Sequence, residues 1–344
     1  MMGDNRILII GAGLTGLALA SGLRVRGVEP VLVERAPIIT EAGWAIGLGP
    51  SHLAALDRIG HADRSGWPLH PQGARLWFDG HGNLLHILDE TGLLIIGRSE
   101  LQLALLDPVR DLVRTGVIPV AVVNHGDRVE VDFDDGTHGT FDAVIGADGI
   151  NSWTRRHVLH GPDATYAGCA VVRFHIPNTD NLTVMSRADV DDAALVYFVM
   201  NAGKTLHVVV ILPGEENNRR DLTLAELAAL FPTVEGPPRT IVTAMQDNPL
   251  HYYANINEVI VEHWVSNRIG IIGDAAHAMS PLLGQGAGVG FEDAALLAEL
   301  LALPHMPAPL ALHNYERIRK PLAQAIQAKS HALTTNILRG PTTP

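Results

Sequence analysis

The sequence predicts an α/β fold: a core of parallel strands and helices, a β-sheet-rich second domain, and a long C-terminal helix. Three observations predict it. A glycine turn, Gly11-Ala12-Gly13-Leu14-Thr15-Gly16, stands between an apolar run and a helical stretch near the N-terminus. The middle of the chain, from 166 to 265, carries short runs rich in Val, Phe and Tyr. After about Asn267 an apolar run again meets a glycine-rich loop, and helical patterns follow to the end. Mixed strand and helix signals at both ends around a strand-rich middle are the pattern of a layered α/β protein with a second sheet.

Taken in order, Arg6 to Ile10 suits a short buried parallel strand. Leu14 to Arg26 has apolar residues at Leu17, Leu19, Ala20 and Leu23 and stops at Gly27, so a helix is expected. Pro30 to Val33 reads as the next strand and ends at Glu34. From Arg98 to about Val113, Leu101, Leu105, Leu112 and Val113 recur at helical spacing. Val117 to Val123, Arg128 to Phe133 and Gly139 to Ile145 read as strands, the last two joined by the turn Asp134-Asp135-Gly136. In the middle, Gly168 to Ile176, Ala194 to Met200 and Thr205 to Leu212 read as strands, with Asn201-Ala202-Gly203 as a hairpin turn. Leu222 to Phe231 reads as a short helix, and Gly73 to Leu88 is expected to add strands to the same sheet. Arg268 to Ile272 is a strand, Val289 to about Leu303 a helix, and Leu310 to Leu338 one long helix in which Pro321 can introduce a kink. The expected division is 1–72, 98–165 and 266–344 for a discontinuous first domain, and 73–97 with 166–265 for the second.

Composition narrows the function. Hydrophobic residues at 47% and charged residues at 18% exclude whole-chain disorder. The net charge of −12, with no basic run longer than Arg155-Arg156-His157, disfavours nucleic-acid binding. Cys169 is the single cysteine, so an internal disulfide is impossible and a buried apolar role is expected. Ile7 to Leu23 imitates a signal peptide, but glycines interrupt it and the glycine turn explains it better. No other stretch suits a membrane span, so a cytoplasmic protein, monomer or homodimer, is expected.

The turn fits G-x-G-x-x-G. Its first glycine permits a sharp bend, its second lets a pyrophosphate approach the backbone, and its third lets helix and strand pack closely. The helix start behind it offers free N–H groups and a positive dipole end. Glu34, with Arg35 after it, stands at the spacing of the ribose-binding acid of a Rossmann-like domain. A carboxylate there accepts from a ribose 2′-hydroxyl and repels a 2′-phosphate, which selects FAD or NAD over NADP at this site.

Two more strand-to-carboxylate turns follow. Ala143 to Gly146 runs into Asp148-Gly149, and Gly270 to Ile272 runs into Gly273-Asp274. The second reads on as Gly273-Asp274-Ala275-Ala276-His277-Ala278-Met279-Ser280-Pro281-Leu282-Leu283-Gly284-Gln285-Gly286, and Arg98-Ser99-Glu100-Leu101 forms an R-x-x-L helix start. With the first turn, this ordered set resembles the class A flavoprotein monooxygenases, the para-hydroxybenzoate hydroxylase-like family, from residue 6 to about residue 300.

The resemblance implies a GR2-type FAD-binding domain and a set of roles. Asp274 would bond the ribityl chain of FAD. Arg98 would sit near the pyrophosphate or ribityl, and Asp148-Gly149 would serve both FAD and a passing NADPH or NADH. Pro281 to Gly288, including Gly284, Gly286, Ala287 and Gly288, would lie along the flavin ring. Bare glycine backbone before a helix also suits the negative charge of reduced flavin. The chain departs from the family at Thr40-Glu41-Ala42-Gly43, where an arginine is common, at Ala278, where a proline is common, and at Gly288, where an asparagine is frequent.

The reaction so implied draws electrons from NAD(P)H and one oxygen atom from O2, and oxygenates a small, aromatic or polycyclic molecule by hydroxylation, epoxidation or related chemistry. Few catalytic side chains are then needed, because the cofactor carries the hard chemistry. A phenolic substrate would want a base or acceptor, for which Arg173, His175, Tyr197 and His207 stand in the β-rich block, with Pro281 at the ring. The alternative is a non-oxygenating flavoprotein of the same fold, a redox-neutral cyclase, isomerase or C=C reductase. A nucleotide-binding sensor is a third reading. No G-x-S-x-G elbow and no H-E-x-x-H zinc motif occurs, and the 17 histidines are scattered, so no metal site is expected.

Overall fold

Four apolar residues, Ile7–Ile10, form strand β1, every one of them buried, and the nucleotide side of the molecule is arranged around it. The computed structural model describes residues 6–39, 44–190, 193–218, 221–245 and 252–338. After β1 come helix α1 (Leu14–Arg24), β2 (Val31–Glu34), β3 (Ala45–Leu48), α2 (Pro50–Arg58), β4 (His70–Phe78), β5 (Leu84–Gly97) and α3 (Arg98–Leu106). The chain continues through β6 (Val113–Thr115), β7 (Pro119–Asn124), β8 (Val129–Phe133), β9 (His138–Phe141) and β10 (Ala143–Gly146). The strand-rich middle holds β11 (Thr165–Pro177), β12 (Met185–Val190), β13 (Ala193–Met200) and β14 (Thr205–Pro213), then α4 (Leu224–Ala228), α5 (Pro237–Met245) and β15 (Tyr252–Glu258). Last come β16 (Val265–Ser266), β17 (Ile269–Ile271), α6 (Asp274–His277), α7 (Gly286–Ala302) and α8 (Ala308–Leu338).

The first sheet has the order β16-β17-β10-β1-β2-β6. β1 pairs in parallel with β2 and β10, and β10 in parallel with β17. Parallel pairing brings the carboxyl ends of β1, β2, β10 and β17 to one edge. The glycine turn, Glu34, Asp148 and Asp274 therefore gather there from four distant parts of the chain, at the edge where open α/β sheets bind ligands. Helices α1 and α7 close over this sheet at near-backbone distance: a Cβ on Gly22 would lie 2.8 Å from Cβ of Ala298, and one on Gly290 would strike Thr15.

The second sheet has the order β15-β11-β14-β13-β12-β4-β5-β3 and is antiparallel except at β12–β4. Side chains alternate across it. Val172, Phe174, Ile176, Leu195, Tyr197, Val199, Leu206, Val208, Val210 and Leu212 pack on one face under α4 and α5. The opposite face carries Val171, Arg173, Val196, Phe198, His207, Val209 and Ile211. A small sheet, β7-β8-β9, completes the fold.

Several elements differ from expectation for local reasons. The 98–113 helix ends at Leu106 and tightens into a 3₁₀ segment, Asp107–Leu112, because Pro108 has no N–H to continue the α pattern. The 139–145 strand is two strands in two sheets, broken at Asp142, whose carboxylate accepts from the Arg6 amide. Helix α7 starts at Gly286 instead of Val289: intrinsic propensity argues against glycine in a first turn, but close packing against α1 and His52 overrides it. The 222–231 helix shortens to Leu224–Ala228, capped by Thr223 and Glu226. The strands expected within 73–88 reach from His70 to Gly97, and β3, from outside the expected second domain, joins their sheet. The hairpin turn is as expected, with Asn201, Ala202 and Gly203 all at positive φ.

Candidate active site

The three glycines of the first turn divide into two roles. Gly11 has φ +105°, and a Cβ on it would lie 2.6 Å from the carbonyl oxygen of Ala147; a Cβ on Gly16 would collide with the Gly11 carbonyl. These two are fixed by packing. Gly13 is not: a Cβ there meets nothing within 4 Å, because it would enter a cavity that Gly13, Leu14 and Thr15 line. Gly13 also caps α1 with no side-chain partner for the first amides, so a helix N-terminus opens on that cavity. Ala12 is buried, and its amide donates to Oε2 of Glu34 at 2.8 Å, while Ala36 donates to Oε1 at 2.9 Å. Glu34 thus fastens the turn from the β2 side. Arg35 is exposed and is not among the cavity-lining residues.

The other turns meet the same cavity. Ala147 and Gly149 line it, and Gly149 sits at φ +75° with open space where a Cβ would be. Asp148 itself is turned into its own loop: it accepts from Ser152 Oγ at 2.5 Å and from the amide and hydroxyl of Thr154 at 2.9 and 3.0 Å. Gly273, at φ +60°, packs on Thr15 and aims Asp274 into the cavity. The Asp274 carboxylate touches cavity solvent yet is ringed by protein. That ring pushes its carboxyl above the ordinary range, with His277 and Arg98 opposing. Arg98 opens α3, receives a backbone anchor from its amide to the Trp44 carbonyl, and reaches Gln102, which in turn donates to the Ala12 carbonyl at 3.3 Å. Pro281, Gly284, Gly286 and Ala287 line the cavity between Asp274 and the second sheet, whereas Gly288 packs on the His52 ring.

Without interruption, the cavity continues onto the open face of the second sheet. Arg173 of β11 lies opposite Val209 of β14, and His175 opposite His207. His207 is 2% exposed, and its Nδ1 lies 3.2 Å from Nε2 of His175. The Trp44 ring stacks on His207 at 5.6 Å and is tilted against His175 and Tyr252. Burial drives His207 well below the ordinary histidine range, and His175 and Arg173 add to the effect. Desolvation also lowers Arg173, and among the described residues no carboxylate pairs with it. Two other cavity arginines are paired, Arg75 with Glu90 at 2.7 Å and Arg187 with Asp189 at 2.8 Å. Guanidinium groups keep their charge at such shifts. The sheet end of the cavity is therefore cationic inside a protein of net charge −12.

A dinucleotide fits these residues: a bare glycine and a helix start without a side-chain cap for a pyrophosphate, Asp274 in the cavity for a hydroxyl, and glycine backbone beyond it, with Glu34 outside the cavity lining and bonded to the amides of Ala12 and Ala36. Comparison with known proteins agrees. The FAD binding domain family matches residues 4–330. The chain is 32% identical over 337 residues to 2-heptyl-3-hydroxy-4(1H)-quinolone synthase of Pseudomonas aeruginosa, covering 90% of this chain and 84% of that one. It is 29% identical to 3-hydroxybenzoate 6-hydroxylase 1 of Aquipseudomonas alcaligenes, covering 95% and 88%.

The chain belongs to the class A flavoprotein monooxygenases. It is an FAD-dependent oxidoreductase. Among solved structures, HpxO of Klebsiella pneumoniae with FAD and uric acid matches with a TM-score of 0.87 and 24% identity, covering 98% of this chain and 90% of that one, which speaks for the fold alone.

Behind the cofactor cradle the monooxygenase holds a buried ion network that the motifs only half announce. Asp293, wholly buried in α7, accepts from His277 Nε2 at 2.5 Å, from the Gly273 amide at 3.3 Å and from Arg319 Nε at 2.8 Å. Burial opposes its charge, but His277 and Arg319 prevail and hold its carboxyl below the ordinary range. The G-D-A-A-H histidine thus supports the turn from behind. Sequence reading missed Asp293 and Arg319, although a Glu292-Asp293 pair inside an apolar helix was a usable sign. It also missed Trp44, Arg75, Glu90 and Arg187, which no motif marks. Residues 40–43, where the family's arginine is replaced, lie outside the described residues. Tyr197 faces the apolar core and bonds Ser186 at 3.0 Å. Cys169 is buried, its thiol pushed up to about 12. No described helix is long and apolar enough to cross a membrane.

Proposed function

We propose that this monooxygenase hydroxylates a small aromatic compound carrying a ring hydroxyl and an acidic substituent, with NADPH or NADH as transient reductant. One observation supports it above the rest: the glycine turn, Asp274 and the cationic, aromatic sheet face line one continuous cavity. FAD, when bound, supplies the redox chemistry that activates dioxygen and transfers one oxygen atom.

The chain's own residues bind, orient and exclude water. Gly11 to Gly16, Glu34, Arg98, Gly149 and Gly273-Asp274 hold the dinucleotide part, with Asp148 stiffening the loop that presents Gly149. Pro281, Gly284, Gly286 and Ala287 lie along the ring system. Arg173 draws the substrate's acidic group, because a desolvated guanidinium without a carboxylate partner favours an incoming anion. Val171, Val196, Phe198, Val209 and Ile211 pack its ring and keep the cavity dry. His207 accepts the hydroxyl proton, which raises electron density on the ring. Substrates named for relatives fit this class: 3-hydroxybenzoate, 6-hydroxynicotinate and 3-amino-4-hydroxybenzoate.

The division into 1–72, 98–165 and 266–344 for the FAD-binding part and 73–97 with 166–265 for the substrate part suits this reading, except that β3 and the first residues of β4 lie in the substrate sheet. A cytoplasmic enzyme, monomeric or homodimeric, is consistent with this reading. The test is direct. Protein purified under air should be yellow, and one of the named hydroxyaromatic acids should accelerate NAD(P)H oxidation at least tenfold with ¹⁸O from ¹⁸O₂ in the product. Unlabelled product, or no stimulation by any hydroxyaromatic acid, would contradict the proposal.

A further inference from the structure

Between α6 and the glycine-rich loop the chain crosses the cavity wall in extended steps: Ala278 sits at φ −50°, ψ 132°, and Ser280 at φ −53°, ψ 134°. Met279 and Pro281 line the cavity, while Ala278 and Ser280 are buried behind it. This stretch belongs to no strand among the described residues, so its buried polar groups need partners from elsewhere.

The partners come from the end of β15 and from one face of α8. Ser280 uses all three of its polar groups on residues remote in sequence. Its amide donates to Oε1 of Glu258 at 3.1 Å, its carbonyl accepts from Ser330 Oγ at 2.6 Å, and its hydroxyl shares a hydrogen bond with Thr334 Oγ1 at 2.7 Å. The Ala278 carbonyl accepts from Gln327 Nε2 at 2.9 Å and from the Val259 amide at 3.0 Å, and Gln327 also donates to the Val259 carbonyl at 2.6 Å. Glu258 is itself held by His331 Nδ1 at 2.8 Å. Gln327, Ser330, His331 and Thr334 stand three and four residues apart, which puts them on one side of the helix. Gln327, Ser330 and Thr334 are buried. Such bonds add little net stability over an apolar contact of the same shape. A fully satisfied buried network does fix a single geometry.

We propose that Ser330 and Thr334, with Gln327, are positioning residues for the cofactor: by holding Ser280 from behind the wall, they set where Pro281 and the backbone up to Ala287 stand in the cavity. The far end of that backbone opens α7, whose start has no side-chain cap and suits negative charge on reduced flavin. The clamp therefore governs how strongly the protein favours reduced over oxidised flavin. This inference rests on the placement of the ring system along Pro281 to Ala287 given above, and adds what holds that stretch in place.

The double variant Ser330→Ala/Thr334→Val removes both hydroxyls and nearly keeps the volume. In FAD-loaded protein, its crystal structure should show the Pro281–Ala287 backbone displaced by more than about 0.5 Å, the tolerance within which a working site is held. Its midpoint potential should fall by about 30 mV or more, which for a two-electron couple is a tenfold loss of preference for reduced flavin. Thr334→Ser, which keeps the hydroxyl, should match the unaltered protein in both measurements. Some loss of stability accompanies any structural role, whereas the potential reads the cofactor's surroundings. An undisplaced loop overturns the inference, as does a Thr334→Ser protein shifted as far as the double variant. A displaced loop at unchanged potential overturns it by another route, since the ring system then does not lie along Pro281 to Ala287. Should the double variant fail to fold or to retain FAD, Thr334→Val alone is read in the same way: a severalfold shift in that preference supports the clamp, and no shift contradicts it.

Discussion

The nucleotide edge and the open sheet face are two halves of one cavity built on opposite plans. At the nucleotide edge each contact is made by residues close in sequence: Gly11 to Gly16 form one turn, Gly273-Asp274 another, and parallel pairing of β1, β10 and β17 brings them together. At the sheet face the lining comes one residue at a time from β4, β5, β11, β12, β13 and β14. The first half is held by buried backbone contacts and the Asp293 network, so it is part of the fold's stability. The second half lies on a sheet packed most extensively on its other face, under α4 and α5, with a smaller cluster of Cys169, Val171, Ala194, Ile211 and Ile256 on the cavity side. Substitutions of packed residues at the edge should disturb the fold, whereas Gly13, which faces the open cavity, and Arg173 on the sheet face should disturb binding and chemistry alone.

That contrast can be broken or sharpened in order of effect. Asp293→Ala removes the buried carboxylate that His277 and Arg319 share, leaving Arg319 with Glu292 as its remaining carboxylate, and should destabilise the protein by about 3–5 kcal/mol, measured by denaturant unfolding. The pH dependence of that unfolding carries a second signature. His61 is buried against Ser21 and Trp67, and burial together with Arg64 lowers it to about 4. A histidine held neutral in the fold but free to protonate when unfolded leaves stability complete above about pH 6.5 and lost progressively as pH falls toward 4. The size is on the order of 3 kcal/mol, and His61→Gln should flatten the curve over that window. Gly16→Ala, whose Cβ meets the Gly11 carbonyl, should lose about 1–3 kcal/mol by forced overpacking. Gly13→Ala, three residues away, should leave apo-protein stability within about 0.5 kcal/mol but weaken FAD retention at least tenfold, read by flavin content after gel filtration. Last, Arg173→Ala should keep both stability and flavin content while raising KM for a hydroxyaromatic acid about tenfold or more. A large stability loss in Arg173→Ala would break the contrast.

The same contrast explains what was legible beforehand. The glycine turn, Glu34 and Gly273-Asp274 are spaced by local geometry, and spacing is visible in a sequence. Asp148 shows the limit of that reasoning: the motif is present, but its carboxylate is spent on Ser152 and Thr154, and only the backbone at Gly149 reaches the cavity. Arg173 and His207 could be named as candidates because they are polar groups in the β-rich block, where a phenolic substrate would want a base or acceptor. Trp44, Arg75 and Arg187 could not, since their meeting depends on the parallel β12–β4 pairing and on β3 joining the same sheet, and neither leaves a local mark. The α7 start was misplaced because its glycines serve helix–helix packing and not a loop.

The central claim is that the dinucleotide and the substrate meet in one cavity. A crystal structure of the FAD-loaded protein tests it most directly. The account predicts the pyrophosphate at Gly13, the ribityl chain at Asp274, and the ring system between Pro281–Ala287 and the face that carries Arg173 and His207. Ring density on the far side of the Asp274 turn, or a cofactor that touches Gly13 but not Asp274, would contradict it.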